Sequence, residues 1–495
     1  MTESRRWISG WALLLAGLLF TLLATTSLAG AAIPQERDFQ SLWASTGEAS
    51  ADRSAGILRR RGVQIEPQWL LPEASDGSGG PPALARADRL TLDLFAGERL
   101  EVRRVRVIPN RSGSVSWVGE VKGQGGKPRG DVILVAREST VVGSVRVDHR
   151  LIELRVIGQD ADGRSLHAIQ EVDESHPAYR ESPPTAVPRE SLDSAVGGAG
   201  TRSSEAGIAG TGGPDVFFHD LLVVYTPNAR DGAGGTVAVE SLVELGVTET
   251  NLSYERSGIT HRVFLAHLQE IDYDETQGGG DLRDRLQDPN DGHMDEVHPL
   301  RDLHGADTVK LIFDTGGCGR AFIMTDVTPG FEAFAFCVTS QRCISPGYTF
   351  QHELGHLQGG RHQWGGDDTD NSPFTFNHGH LDIVNEFRTI MATNDNRCST
   401  CTRRLYWANP EVNDPITGAP MGIPEGQPLA TDNRKTLNAT GPTTAGFRQS
   451  VYQIFANGFE TGGLGGWDVV PSSVTDPAVG VAGPSDHSIQ PAGEE

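Results

Sequence analysis

HELGHLQGGRH, residues 352–362, places three histidines, one glutamate and one glycine at fixed intervals. His352 and His356 are four positions apart, so on a helix they project from one side and can reach one metal ion about 2 Å away. Gly359 can adopt the left-handed conformation that ends a helix, and the chain then returns with His362 as a third ligand. Three histidines leave one position of a tetrahedral zinc ion open, which is typical of a catalytic site.

The remaining charged residue of this segment, Glu353, follows the first histidine directly. From that position a carboxylate can reach water at the metal without binding the metal itself. Water on zinc has a pKa of about 7, so a carboxylate can act as its general base near neutral pH. The preceding residues, Ser345 and Pro346, suit the N-cap and first turn of a helix. The sequence therefore predicts a helical site with one catalytic Zn²⁺ ion, and a peptide carbonyl is its natural target.

The spacing HExxHxxGxxH is the metzincin zinc signature, and metzincins also carry a methionine turn beneath the metal. Met391, 29 residues after His362, resembles that turn. The stretches RTIMA, CSTCTRRLYWANPEV, GAPMG and DNRKTLNATGPTTAGFR resemble the carboxyl half of bacterial peptidyl-Asp metalloendopeptidases, a reprolysin-like branch of the metzincins. This resemblance covers most of residues 216–449. It implies an α/β (α+β) catalytic domain with a twisted sheet, an active-site helix and a Met-turn.

The same resemblance implies cleavage on the amino side of aspartate, which requires a cationic group in the substrate pocket. The arginines near the motifs are the candidates for it: Arg361, Arg397, Arg403 and Arg404. Two positions depart from the family. Thr393 stands where some metzincins have a tyrosine near zinc, and Gly441–Pro442 is expected to break the last helix.

Composition and the amino terminus indicate where the protein acts. The formal net charge of -23 argues against binding to nucleic acid or to anionic membranes. Arg5 and Arg6 precede a short apolar run and small residues, which predicts a signal peptide over residues 1–31. A membrane anchor is the alternative, but a spanning helix needs about 20 apolar residues. We expect a bacterial protein, extracellular or periplasmic, that is monomeric and leaves the membrane after the signal is removed.

All five cysteines lie between residues 318 and 401: Cys318, Cys337, Cys343, Cys398 and Cys401. This clustering predicts local disulfides in an oxidising compartment, with one thiol left over. The alternative is that Cys398 and Cys401 form half of a zinc knot, but the chain has no second pair at suitable spacing.

Four further segments follow the predicted signal peptide. Residues 32–180 predict a β-rich propeptide, because residues 90–173 alternate apolar and polar side chains in short runs. Residues 181–214, rich in proline, glycine and serine, predict a flexible linker with an activation cleavage. Residues 215–449 form the catalytic domain, with an edge strand expected within residues 331–340, and residues 450–495 a glycine-rich, disordered tail.

The order of these segments restricts how a precursor is kept inactive. The first cysteine of the chain is Cys318, so no propeptide thiol can occupy the open zinc position. We expect an aspartate, glutamate or histidine of the propeptide to do so, for example within residues 171–176 or 190–194. Alternatively, the β-rich segment simply covers the cleft.

These observations predict a secreted zinc metalloendopeptidase that is made as a zymogen and acts on proteins or peptides. The alternative is a secreted zinc-containing binding or adhesion protein without proteolytic activity. Glu353 favours the enzyme, because a zinc scaffold needs only the three histidines. Asp367, Asp368 and Asp370 lie close enough in sequence to suggest Ca²⁺, although a solvated acidic loop explains them as well.

Overall fold

The computed structural model describes residues 39–47, 50–70, 82–198, 217–276, 281–367, 372–456 and 467–471. The predicted signal peptide lies outside the described residues. Within them, no helix is both long enough and apolar enough to cross a membrane.

The amino-terminal part is an eleven-stranded sheet, as its alternating sequence predicts. Its strands are β1 (Gln40–Ser41), β2 (Trp43–Ser45), β3 (Ser50–Asp52), β4 (Ile57–Ile65), β5 (Arg89–Asp93), β6 (Arg99–Pro109), β7 (Val115–Lys122), β8 (Pro128–Arg137), β9 (Thr140–Val147), β10 (Arg150–Gln159) and β11 (Ser165–Val172). They follow the order β1-β5-β6-β7-β8-β9-β10-β11-β4-β2, with β3 on β4, and all pairs except β1 with β5 are antiparallel.

The two faces of this sheet line two different apolar cores. Successive residues of a strand point to opposite faces, so Trp117 belongs to the core within the β-rich part while Val118 packs into the core around the catalytic helices. Leu134 and Val135 on β8 divide in the same way. Both faces of the central strands are therefore buried.

A second sheet of six strands follows, in the order β12-β16-β17-β15-β13-β14. Its strands are β12 (Thr185–Ala186), β13 (Phe218–Tyr225), β14 (Arg262–Glu270), β15 (Thr308–Phe313), β16 (Gly319–Ile323) and β17 (Phe336–Ser340). The helices along this part of the chain are α1 (Arg189–Gly198), α2 (Pro227–Ala233), α3 (Thr236–Ser257), α4 (Leu282–Gln287) and α5 (Val297–Leu303). Strands alternating with helices in a mainly parallel sheet form the α/β core that the sequence predicts.

The edge-strand prediction is wrong. Within residues 331–340 only β17 is a strand, and it lies inside the sheet between β15 and β16. Its five residues are all buried, because both faces of an internal strand are covered. On this side of the sheet, the outermost strand from the catalytic part is β16, which runs antiparallel to β17. Short β12 pairs with β16 in parallel on its other side.

The predicted linker at 181–214 is structured over its first part. β12 completes the second sheet, α1 follows it, and Val187 and Leu192 are buried in the catalytic core. The residues of this segment have little apolar periodicity of their own, so they gain structure from partners distant in sequence. Residues 199–216 lie outside the described residues.

Helix α3 lies between the two parts of the chain. It contacts β14 on the catalytic side and β7, β8 and β9 of the first sheet. Fifteen of its 22 residues are buried, far more than a helix covered on one side would bury. The contact also contains polar pairs: Ser144 Oγ donates to Glu249 Oε1 at 2.7 Å, and Arg256 Nη1 donates to Asp131 Oδ2 at 2.7 Å.

The remaining elements complete the catalytic part. They are α6 (Thr349–Leu357), β18 (Leu381–Asp382), β19 (Phe387–Arg388), β20 (Thr402–Arg403), β21 (Asn409–Asn413), β22 (Pro420–Met421) and α7 (Asn433–Thr444). Helix α7 continues through Pro442, contrary to the expected break. The proline removes the one backbone hydrogen bond that its nitrogen would donate, and two helical residues follow it. The tail is not wholly irregular, since β23 (Tyr452–Ala456) and β24 (Trp467–Pro471) pair antiparallel.

Candidate metal centre

Helix α6 begins later than the sequence predicts. Ser345 and Pro346 belong to a separate 3-10 turn, and Ser345 Oγ donates to the Glu249 carboxylate instead of capping the helix. Tyr348, with a φ of 52°, adopts the left-handed conformation and separates this turn from the α-helix, which starts at Thr349. The prediction of the helix was right and that of its N-cap was wrong.

The three histidines converge on one point. The Nε2 atoms of His352, His356 and His362 lie 3.1 Å from one another in all three pairs. His352 Nδ1 donates to the carbonyl of Ile390 at 2.9 Å, and His356 Nδ1 donates to that of Gly360 at 2.7 Å. These bonds fix both rings with their Nε2 lone pairs directed at the centre.

The nitrogen triangle fits a zinc ion. Nitrogens that share a tetrahedral zinc at about 2.0–2.1 Å lie about 3.3 Å apart, close to the observed spacing. Burial lowers the pKa of His352 and His356 well below the usual value and that of His362 to about 4, so the rings are neutral, as metal ligands must be. Among the described residues, these histidines are the one group of three or more such side chains close enough to hold a metal.

Glu353 lies beside this centre and is completely buried. Neither of its carboxylate oxygens has a hydrogen-bond donor in the part of the chain that the structure describes. Burial raises the pKa of Glu353 well above its usual value, and the charge of Lys310 opposes this effect. Gly319 on β16 makes room for the carboxylate, because a Cβ there would lie 2.5 Å from Glu353 Oε1.

Lys310 is a buried residue that the sequence analysis missed. It lies on β15 with no exposed surface, and its Nζ contacts Cys337 Sγ and Thr339 Oγ1, both at 3.1 Å. The Nζ also lies 4.8 Å from the centre of the Phe350 ring on α6. The signal available was a single lysine within the apolar strand TVKLIFD, residues 308–314.

Met391 packs directly beneath α6. It is completely buried, and a Cβ added to Gly355 would lie 2.6 Å from Met391 Sδ. Trp407 lies at the same point, with ring carbons 2.6 and 2.7 Å from that Cβ position. Gly355 is therefore the small residue that lets the helix between His352 and His356 approach the methionine.

Gly359 turns the chain between the second and third histidines. Its φ is 84°, and its amide donates to the carbonyl of His356 at 2.9 Å. A Cβ there would also lie 2.9 Å from Pro373 Cγ.

Beyond this turn, His378 holds the position of His362. Its Nδ1 donates to the His362 carbonyl at 2.7 Å, and its ring stacks on Trp364. Sequence reasoning missed this role of His378.

Three of the four candidate arginines have carboxylate partners inside the catalytic part. Each of these pairs is a hydrogen-bonded ion pair: Arg361 with Asp367, Arg397 with Asp395, and Arg404 with Asp414. Arg403 instead pairs with Glu181, which precedes β12.

The three aspartates considered for Ca²⁺ are described only in part. Asp367 forms an ion pair with Arg361, and Asp368 and Asp370 lie outside the described residues.

The disulfide prediction is confirmed, with the pairs Cys318–Cys343 and Cys398–Cys401 and a free, buried Cys337. Cys398 and Cys401 do not form half of a zinc knot, because their sulfur atoms bond to each other.

Sequence comparisons place this geometry in a family. The profile described as "Metallo-peptidase family M12B Reprolysin-like" matches residues 241–363, which include the histidine motif. A peptidyl-Asp metalloendopeptidase of Stenotrophomonas maltophilia R551-3 is 31% identical over 426 residues, 78% of this chain and 93% of the relative. The peptidyl-Asp metalloendopeptidase of Xanthomonas campestris pv. campestris is 30% identical over 383 residues, 74% of this chain and 84% of that relative. Identity of this size over most of both sequences shows that the chain belongs to the peptidyl-Asp metalloendopeptidases, a family of reprolysin-like metallopeptidases.

Proposed function

We propose that the chain is a secreted, zinc-dependent endopeptidase that is made as an inactive precursor and cleaves before aspartate. The arrangement of His352, His356 and His362 around one point, with the unpartnered Glu353 carboxylate beside it, is the observation that carries the zinc-dependent peptidase activity in this proposal. The three histidines would hold the ion. Zinc supplies Lewis-acid chemistry there, because it polarises a peptide carbonyl and makes water a stronger acid.

Glu353 is suited to move the proton in this reaction. Its carboxylate takes a proton from water as the water oxygen bonds to the peptide carbonyl carbon. The same carboxyl group then delivers that proton to the leaving amine nitrogen as the peptide bond breaks. No donor among the described residues bonds to this buried carboxylate, so packing rather than hydrogen bonding holds it in place there.

The substrate backbone has an edge to bind along. β16 borders the site at Gly319, and its outer side pairs only with two-residue β12 among the described residues. When β12 leaves, the amides and carbonyls of β16 become free to pair with an extended peptide. Such pairing would place the substrate main chain beside Glu353.

The inactive precursor is supported by what covers this edge in the intact chain. Ser182 donates its amide to the Gly319 carbonyl at 3.2 Å, directly in front of the site, and β12 continues along β16. A propeptide thiol is not the proposed ligand, because the first cysteine of the sequence, Cys318, lies in the catalytic part. We infer inhibition by occupation of the cleft, relieved by cleavage within residues 181–214.

The proposal is tested by incubating the purified, processed protein with denatured casein, with and without a chelator. We expect chelator-sensitive proteolysis that Glu353→Gln lowers by at least about 10²-fold, the usual size of a general-base effect. Zinc content should stay near one ion per chain in this variant. A protein that binds zinc but leaves casein intact under every condition would instead be the binding or adhesion protein.

A further inference from the structure

A buried ion pair joins the two parts of the chain close to the metal centre. The side chain of Arg403 is 1% exposed and that of its partner Glu181 is 2% exposed. Arg403 Nε and Nη2 donate to the Ala392 carbonyl at 3.1 and 2.7 Å, and Nη1 donates to Glu181 Oε1 and to the Gly347 carbonyl. The guanidinium is thus anchored on the backbone just after Met391 and presents one end to the carboxylate.

The carboxylate of Glu181 lies beside the catalytic helix. Thr349 Oγ1, one helical turn before Glu353, is 3.4 Å from Glu181 Oε1. The next residue, Ser182, belongs with Glu181 to the segment that precedes the proposed activation cut. Its amide donates to the carbonyl of Gly319, which borders the Glu353 carboxylate. Burial acts to raise the pKa of Glu181, but the charge and hydrogen bond of Arg403 outweigh it, so that pKa is lowered and the side chain is ionised.

Arg403 differs from the other candidate arginines in where its partner comes from. Among the described residues, Glu181 is the one carboxylate that forms an ion pair with it, and Glu181 belongs to the segment that leaves on activation. Arg388 lies nearby, and in the described part of the chain its guanidinium donates only to oxygens that carry no formal charge: those of Cys401, Ala392 and Asn394. Departure of the segment leaves a buried guanidinium unpaired beside Glu353, a costly state that a new carboxylate would relieve.

We propose that Arg403 binds the acidic side chain of the substrate next to the scissile bond, and that Glu181 occupies the same pocket in the intact chain. This inference rests on the proposed endopeptidase function. A guanidinium held by two bonds to one backbone carbonyl presents a fixed donor to a carboxylate, and the dry surroundings strengthen that bond. An uncharged amide of the same shape offers no compensating charge, so the pocket distinguishes aspartate from asparagine.

The first test compares two peptides that differ only in Asp or Asn after the scissile bond, using the full chain after processing. A hydrogen bond to a charged group corresponds to about 10- to 100-fold, which is the expected ratio of kcat/KM for the wild type. Arg403→Gln should bring that ratio close to one. The matched control Arg397→Gln should keep it, since Arg397 pairs with Asp395 within the catalytic part.

An Arg403→Gln enzyme that cleaves with the wild-type preference would overturn the inference while leaving the protease function intact. Absence of cleavage by the wild type would instead overturn the proposed function.

Because Arg403 is buried, its variant can fail to fold, so a second test leaves the enzyme unchanged. The peptide AYRESPPTAV, residues 178–187, should inhibit the processed wild type, and the version with Gln at the position of Glu181 should inhibit about 10- to 100-fold less. Equal inhibition by both peptides, or by neither, would refute the assignment of Glu181 to the pocket.

Discussion

Replacement of Gly355 by alanine tests whether Met391 supports the metal-binding helix. A methyl group at this position would lie 2.6 Å from Met391 Sδ and 2.6 Å from a Trp407 ring carbon, about 1 Å inside the normal contact distance. Overpacking of this kind lowers the free energy of unfolding by about 1–3 kcal/mol, whereas alanine in place of glycine within a helix raises it by about 1 kcal/mol. We expect Gly355→Ala to destabilise the protein by about 1 kcal/mol, or about 2–4 °C in Tm for a domain of this size.

The double variant makes the test specific. Met391→Ala removes a completely buried side chain and should cost about 2–5 kcal/mol. The space it leaves can accept the new methyl group and lets the Trp407 ring, the other close neighbour, shift away from it, so Gly355→Ala should cost close to nothing in that background. The two changes should therefore couple by at least about 1 kcal/mol. Thermal unfolding in excess zinc, with Glu353→Gln present in all variants to prevent self-digestion, measures these values. Additivity within about 0.5 kcal/mol would show that Met391 does not support the helix at Gly355.

Three further results are expected. The chain from about residue 32 should be inactive until it is cut within residues 181–214, and mercurials should not activate it; full activity of the uncut chain would contradict the precursor proposal. His378→Phe keeps a ring against Trp364 but loses the bond to the His362 carbonyl, so zinc affinity should fall about 10-fold; unchanged chelator competition would contradict this. Burial raises the pKa of Glu249 to about 7 from 4.5, so this residue stabilises the intact chain below pH 4.5 and the stabilisation is lost as pH rises through 7. Glu249→Gln should therefore flatten the fall in Tm between pH 5 and 8. Parallel curves of Tm against pH for the wild type and the variant would exclude this cause.

The local geometry of the metal centre could be predicted because it depends on neighbouring residues. Histidines at positions i and i+4 share one side of any α-helix, and a glycine with positive φ can reverse the chain within a few residues. The start of the helix could not be read in the same way. Ser345 has the character of an N-cap, but its hydroxyl bonds to Glu249, 96 positions earlier in the chain. A capping preference competes with such tertiary partners, which no local pattern reveals.

The two main errors also come from contacts that are distant in sequence. Residues 331–340 contain a strand with both faces buried, and an unbroken apolar run does not tell whether it lies inside a sheet or at its edge. Residues 185–186 become a strand only because β16, more than 130 positions later, offers a free side. The pairing of Arg403 with Glu181 is equally remote, so sequence position alone does not distinguish Arg403 from the other three candidate arginines.

The position of α3 has a consequence for the order in which the protein is built. The β-rich part leaves the ribosome before α3 does, and domains fold largely in that order. Its strands β7, β8 and β9 can therefore present a finished surface, with Val118 and Val135 in the same apolar cluster as Leu242 of the helix. A chain whose synthesis starts at residue 215 has no such template. It would expose one side of α3 while folding, and we expect such a product to be recovered mainly as aggregates, with soluble enzyme obtained by supplying residues 32–180 as a separate chain.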